Sequence, residues 1–220
     1  MSKDLFATGS APQVSVGLID GKVPYLTIDG LFADPRAVRN AALALPYGPA
    51  TANYPGRLAR FPVEDPSLTR FIRKVSGLVT REYLPRLPTL PDGRRLSSLR
   101  AADTDFAITD THPDELSMAQ RDPHTDAVPV FGLVYLNEEP RGGTLFFKPR
   151  SEPHADAPAS AYPSRTDQRF EVCGHIEGLF NRLAIYPGFI FHSGEIEGEW
   201  IGSDTRFSAP RLTQRIMFFF

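Results

Sequence analysis

The chain has 220 residues and a mass of 24.4 kDa, which suits one compact domain with a sizeable core. Its 17 glycines and 21 prolines exceed the roughly 12% of ordinary usage and interrupt nearly every stretch long enough for a full helix, so an all-helical bundle is excluded. The 24 basic and 26 acidic residues almost cancel, and the 20 arginines are scattered in runs of at most two, which is no basic stripe for a nucleic-acid partner.

Residues 13–29 alternate apolar and polar around Asp20-Gly21 and predict a short hairpin. Asp34-Pro35 is an N-cap residue followed by proline at the first helical position, so a helix is expected over RAVRNAALAL. Residues 47–62 have turn chemistry and are expected on the surface. A second helix begins near Ser67, with Leu68, Phe71, Ile72, Val75, Leu78 and Val79 at core-facing spacing and a possible break at Gly77. From about Leu96 the runs are short, apolar or alternating: SLRAADTDFAITD, VPVFGLVYLN, GTLFFK, RFEVC, NRLAIYP, FIFH and PRLTQRIMFFF. Strands at that spacing, separated by turn residues, predict a sandwich or barrel-like jelly roll. Residues 151–167, rich in Pro, Ala and Ser, are expected to form a loop or lid. The whole is read as a single domain, residues 1–220, in which about 1–95 support a core of about 96–220 and the helices pack outside the β structure.

No apolar stretch approaches the roughly 18 residues of a membrane span. The start, MSKDLFATGS, lacks the apolar core of a signal peptide, and Cys173 alone can form neither an internal disulfide nor a four-thiolate zinc site. A cytoplasmic protein with no membrane partner is expected.

Five histidines are present, and the informative arrangement is His124-Thr125-Asp126. In extended chain, residues i and i+2 point to one side, so an imidazole and a carboxylate converge there. A second histidine from a neighbouring strand would complete the two-His-one-carboxylate set that holds Fe(II) and leaves positions open. His192, at the end of the apolar run FIFH, is the best candidate, because a histidine in so apolar a strand needs a polar reason. His154-Ala155-Asp156 has the same spacing but lies in the Pro-rich stretch, whereas metal ligands are held on rigid elements. In PRLTQRIMFFF, Arg211, Thr213 and Arg215 share one face and Leu212, Gln214 and Ile216 the other. A buried guanidinium without a partner is costly, so at least one of these arginines must reach solvent or meet an anion, and a carboxylate ligand would serve. Arg206-Phe207-Ser208 is a second arginine candidate without a long apolar strand behind it.

Taken in order, His124-x-Asp126, Tyr135-Leu136-Asn137, Gly142-Gly143-Thr144 with Phe146, His192 and Arg211-x-Thr213 resemble the iron(II)/2-oxoglutarate-dependent dioxygenases, in particular the prolyl-hydroxylase-like branch as a small bacterial member. The resemblance covers residues 124–218. The 19-residue gap between His192 and Arg211 is longer than usual there, and the insertion, with the chain's only tryptophan, Trp200, could face substrate.

The resemblance implies a double-stranded β-helix (jelly roll), mainly β with supporting helices. It implies Fe(II) on His124, Asp126 and His192, 2-oxoglutarate chelating that iron with its far carboxylate on Arg211, helped by Thr213 and Tyr135, and O2 as co-substrate. The implied reaction is hydroxylation of an amino acid, peptidyl side chain or other small molecule, with release of succinate and CO2. Asp126 favours hydroxylation over halogenation, since halogenating relatives lack that carboxylate. Whether Arg211 or Arg215 takes the co-substrate stays open, as do desaturation and the oligomeric state. Two rivals are a catalytically silent jelly-roll module that binds a metabolite or protein, and a cupin-like metalloenzyme that uses O2 without 2-oxoglutarate; the latter leaves the Arg211–Thr213 face unexplained.

Overall fold

A computed structural model describes residues 4–50, 54–87, 89–112, 115–117, 120, 122–150, 169–196 and 210–220. The opening hairpin pairs β1 (Gln13–Ile19) with β2 (Val23–Asp29). Its turn puts Asp20 and Gly21 at φ 50° and 66°, and Lys22 N donates to Ile19 O at 3.0 Å. Both central residues are thus in the left-handed region that this tight hairpin turn needs, which is why Asp-Gly stands there.

Helix α1 (Pro35–Leu43) starts as expected, with the Asp34 carboxylate accepting from Ala37 N at 3.1 Å. Helix α2 (Pro66–Leu78) is capped by Asp65, which accepts from Ser67 N at 2.7 Å and Leu68 N at 3.1 Å. It runs through Gly77 without a break, because Phe71, Val75 and Val79 on its inner side are all buried and tertiary packing outweighs the glycine's weak propensity. One π turn (Val79–Tyr83) and one 3-10 turn (Leu84–Arg86) extend it. Tyr83, wholly buried there, donates its hydroxyl to Pro24 O at 2.9 Å and ties the extension to β2.

The remaining strands are β3 (Gly48–Pro49), β4 (Arg57–Ala59), β5 (Ala101–Thr109), β6 (Val130–Tyr135), β7 (Thr144–Pro149), β8 (Phe170–Ile176), β9 (Arg182–Pro187), β10 (Phe191–Gly194) and β11 (Arg211–Phe219). All pairings among the described residues are antiparallel, in a sheet ordered β1-β2-β9-β6-β11-β5-β4-β3 and a smaller one ordered β10-β7-β8. The fold is a jelly roll, mainly β with supporting helices. Side-chain alternation divides the large sheet. Its outer face, with Ile28, Val134, Ile185 and Ile216, packs on Val38, Phe71 and Val75 of the helices. Its inner face, with Leu133, Tyr135 and Tyr186, packs on Phe146 and Ile176 of the small sheet.

Two expectations need correction. Residues 47–62 are not simply a surface turn: β3 and β4 extend the large sheet, and Pro55 and Ala59 are buried. The crossing is close, since a Cβ on Gly56 would stand 1.9 Å from Ile108 O, so only glycine fits. The strand carrying His192 begins at Phe191, not Phe189. Ile190 precedes it, and its carbonyl accepts from the His192 ring.

Candidate metal centre

His124, outside the named strands, lies opposite His192 of β10 in an isolated antiparallel bridge. His124 N donates to His192 O at 3.0 Å and His192 N to His124 O at 2.9 Å, which fixes the two residues as a cross-strand pair. Two residues on, Asp126 N donates to Gly188 O at 2.8 Å, and Gly188 N donates to Pro129 O at 3.0 Å. A Cβ at position 188 would meet Val128 O at 2.1 Å and the Asp126 Cβ at 3.1 Å, so the Pro187-Gly188 turn can approach the ligand segment only as glycine. These backbone links bring one ligand atom each of His124, Asp126 and His192 within 4.8 Å of one another. Among the described residues this is the one group of three or more His, Cys, Asp or Glu so placed.

Its electronic state suits a cation. The His192 Nδ1–H donates to Ile190 O at 2.8 Å, which orients the ring and leaves the Nε2 lone pair facing the site. That Nε2 stands 3.1 Å from Asp126 Oδ2, yet Oδ2 is buried with no hydrogen-bond partner: the pair is close but not aligned as a hydrogen bond. Two acceptor atoms so close in a buried site need a proton or a positive ion between them. Burial alone would raise the Asp126 pKa, but His192 and then His124 overcome it and hold the carboxyl below its usual range. The His124 imidazole is exposed on its outer side, yet crowding by protein on the other, and secondarily His192, pushes its pKa down to about 4. At neutral pH it is therefore an uncharged donor. Two imidazoles and a carboxylate, with open space beside them, could hold a metal ion and leave coordination positions free.

That space is a cavity of about 510 Å³, part of it open to solvent, which also touches Tyr54, Phe131, Thr144, Tyr186, Arg211, Thr213 and Arg215. Strand β11 contributes three of these because Arg211, Thr213 and Arg215 share one face, as the alternation predicted, and that face lines the cavity. The two arginines differ. Arg215 forms a two-pronged pair with Asp105, Nε and Nη2 each 2.6 Å from a carboxylate oxygen, and its guanidinium lies 5.1 Å from the Tyr54 ring centroid. Burial would lower its pKa, but Asp105 more than offsets this and holds it above the ordinary value. Arg211, 4% exposed, has only carbonyls: Nε donates to Gly142 O at 2.9 Å and Nη2 to Gly143 O at 3.5 Å. No carboxylate pairs with it among the described residues. Thr213 Oγ1, on the same wall, is buried without a partner, so a cation and an unpartnered hydroxyl line the same cavity. Tyr135 lies in the wall behind, where its hydroxyl and that of Thr144 share a 2.7 Å hydrogen bond; burial pushes its pKa up to about 12.

The structure thus brings His124, Asp126, His192, Arg211 and Thr213 to one cavity and places Tyr135 one contact away through Thr144. His154, Asp156, Trp200, Arg206 and most of the two polar insertions lie outside the described residues. Sequence reasoning missed Asp105, Tyr54 and Tyr186. Asp105 carried a signal: an inward-facing acid in β5, where a second inward arginine needed a counter-ion.

The family model described as a family of unknown function, DUF6445, matches residues 10–156 and 150–218. The chain belongs to the DUF6445 family. No curated protein matches it. Among solved structures, the DUF6445 chain is similar to HygX from Streptomyces hygroscopicus, determined with nickel, 2-oxoglutarate and hygromycin B bound, at 12% identity, with 90% of this chain and 83% of that one covered and a TM-score of 0.51. It is also similar to a prolyl-4-hydroxylase from Pseudomonas putida at 14% identity, with 98% and 94% covered and a TM-score of 0.46. At such identities the likeness to HygX shows the fold alone. No helix among the described residues is long and apolar enough to cross a membrane.

Proposed function

We propose that this DUF6445 protein is an Fe(II)/2-oxoglutarate-dependent oxygenase that hydroxylates an amino acid, peptidyl side chain or other small molecule. One observation carries the reading: a single cavity holds, at one end, two imidazoles and a carboxylate within 4.8 Å and, on its β11 wall, a buried arginine with no carboxylate partner among the described residues. A dicarboxylic 2-oxo acid matches both features, an oxo-acid end that chelates metal and a far carboxylate that needs a cation. A metalloenzyme that used O2 alone would leave Arg211 buried without purpose, at a cost of several kcal/mol.

In this reading His124, Asp126 and His192 hold Fe(II), and Arg211 and Thr213 hold the far carboxylate of 2-oxoglutarate, with Tyr135 buttressing the wall through Thr144. When bound, iron and 2-oxoglutarate supply the oxidising chemistry, in which O2 converts 2-oxoglutarate to succinate and CO2 and transfers one oxygen atom to the substrate. The protein's own residues orient the three ligands, keep one face of the site open, and pack Phe131, Leu133 and Ile196 around it to restrict water. A second, open groove shares Asp126, Phe131 and Arg215 with the cavity and is walled by apolar Leu58, Val128 and Met217 and by charged Arg60 and Asp105; in this reading substrate enters there.

The reading is tested by supplying the protein with Fe(II), ascorbate, O2 and 2-oxoglutarate labelled at C1. Labelled CO2 and an equal amount of succinate should form, slowly without a prime substrate, and not with Asp126→Ala. Equal release from the wild type and Asp126→Ala would refute it.

A further inference from the structure

Among the described residues three tyrosines are almost wholly buried, and two have protein partners for their hydroxyls: Tyr83 on Pro24 O and Tyr135 on Thr144. Tyr186, 1% exposed, shows no protein partner among the described residues, and its oxygen is not sealed from solvent as Asp126 Oδ2 and Thr213 Oγ1 are, so it opens to the cavity that it lines. A phenol so placed takes its hydrogen bond from cavity water or from a ligand that displaces that water. Its ring stands edge-on to the His192 imidazole, with centroids 5.1 Å apart and planes at 67°, and edge-on to Phe146 at 5.1 Å. Phe131 packs on it at 5.7 Å. Three rings thus hold Tyr186 rigidly against the metal ligands, in the wall of the cavity that also holds Asp126 and Arg211. Nothing in the packing requires the oxygen, since phenylalanine would fill the same aromatic cluster.

We propose that Tyr186 is a further co-substrate-binding residue, its hydroxyl donating a hydrogen bond to the oxo-acid end of the metal-chelated 2-oxoglutarate. This rests on the function proposed above and adds a recognition element at the end opposite Arg211. The direction of the bond follows from the groups themselves: a phenol is protonated at neutral pH and donates, whereas the oxo-acid oxygens only accept. The contact with His192 places Tyr186 at the metal end, whereas Thr213 and Arg211, successive inward positions on β11, serve the far end.

The test uses the full chain under anaerobic conditions with Fe(II), following the weak visible band that forms when a 2-oxo acid chelates the metal. Two probes separate the two ends: 2-oxoglutarate, and 2-oxobutyrate, which has the oxo-acid end but no far carboxylate. Tyr186→Phe should raise the Kd of both probes about tenfold, the loss of one hydrogen bond to a charged group, and shift the band maximum, with Fe(II) affinity unchanged. Arg211→Ala should weaken 2-oxoglutarate alone. Wild-type Kd and an unmoved band in Tyr186→Phe would overturn the assignment, as would loss of iron in that variant, which would make Tyr186 a support for the ligands instead. Absence of any band with the wild type would remove the proposed function and this inference with it. Should Tyr186→Phe not fold, the same question is put to wild-type protein loaded with Zn(II) and carrying 13C at the tyrosine ζ carbons. Addition of 2-oxobutyrate, which reaches only the metal end, must shift one buried-tyrosine signal, and no shift overturns the proposal.

Discussion

Replacing Arg211 and Arg215 in turn should give opposite kinds of damage, although both are inward-facing arginines of one strand. The Arg211 guanidinium is buried with two carbonyl acceptors and no described carboxylate. In Arg211→Ala the far carboxylate of bound 2-oxoglutarate would sit in the cavity without its cation. Breaking one side of a buried charge pair costs about 3–5 kcal/mol, or two to nearly four powers of ten in Kd. The ligand-free protein should lose little stability, because the group removed is itself a buried charge without a counter-ion. Arg211→Lys should recover part of the affinity, since an ammonium lacks the planar fork. Arg215→Ala instead strands Asp105, 5% exposed and held by two 2.6 Å bonds. Urea unfolding of that variant should show a loss of about 3–5 kcal/mol, and a combined Asp105→Leu, Arg215→Met variant should regain most of it. Calorimetric titration with 2-oxoglutarate, read beside the unfolding curves, separates the two effects. A co-substrate defect in Arg215→Ala at wild-type stability, with Arg211→Ala binding normally, would refute the reasoning about β11.

Gly188→Ala should weaken metal binding about 10–100-fold, the range for changes to groups that orient ligands, because its Cβ would collide with Val128 O and press on Asp126; a metal titration with wild-type affinity would contradict this. Asp65→Ala should cost about 1 kcal/mol at pH 7 through loss of the α2 cap, measured by urea unfolding. Hydrogen bonds, first from the Ser67 hydroxyl and then from backbone N–H groups, lower the Asp65 pKa in the folded state. Its contribution is therefore complete above the unfolded value of about 3.9 and fades as pH falls through the lower folded value, so wild type and variant should converge in acid. A gap that stays constant from pH 7 to pH 2.5 would show that the charge is not involved.

Much of this was legible because it depends on local pattern. The seven runs from Leu96 onward all became strands, for short apolar segments between turn residues have few other stable outcomes. The His124–Asp126 spacing and the inward set Arg211, Thr213 and Arg215 needed only the two-residue period of extended chain. What was not legible depends on long-range register. Asp105 and Arg215 are opposite each other only because β5 and β11 pair, 110 residues apart in sequence. Tyr54 reaches the cavity because Gly56 lets β4 cross close to Ile108, and a three-residue strand among prolines and glycines carries no periodic signal of its own. Tyr186 sits in the run NRLAIYP, which was legible as a strand, but its contact with His192 depends on how β9 and β10 come together in space.

The central claim is that His124, Asp126 and His192 together hold one metal ion. Anaerobic titration of the metal-free chain with Fe(II), followed by calorimetry and by metal content after desalting, tests it most directly. The account predicts one equivalent bound by the wild type and by His154→Ala, and none retained by His124→Ala, Asp126→Ala or His192→Ala. Retention of a full equivalent by those three variants, or its loss in His154→Ala, would contradict the account.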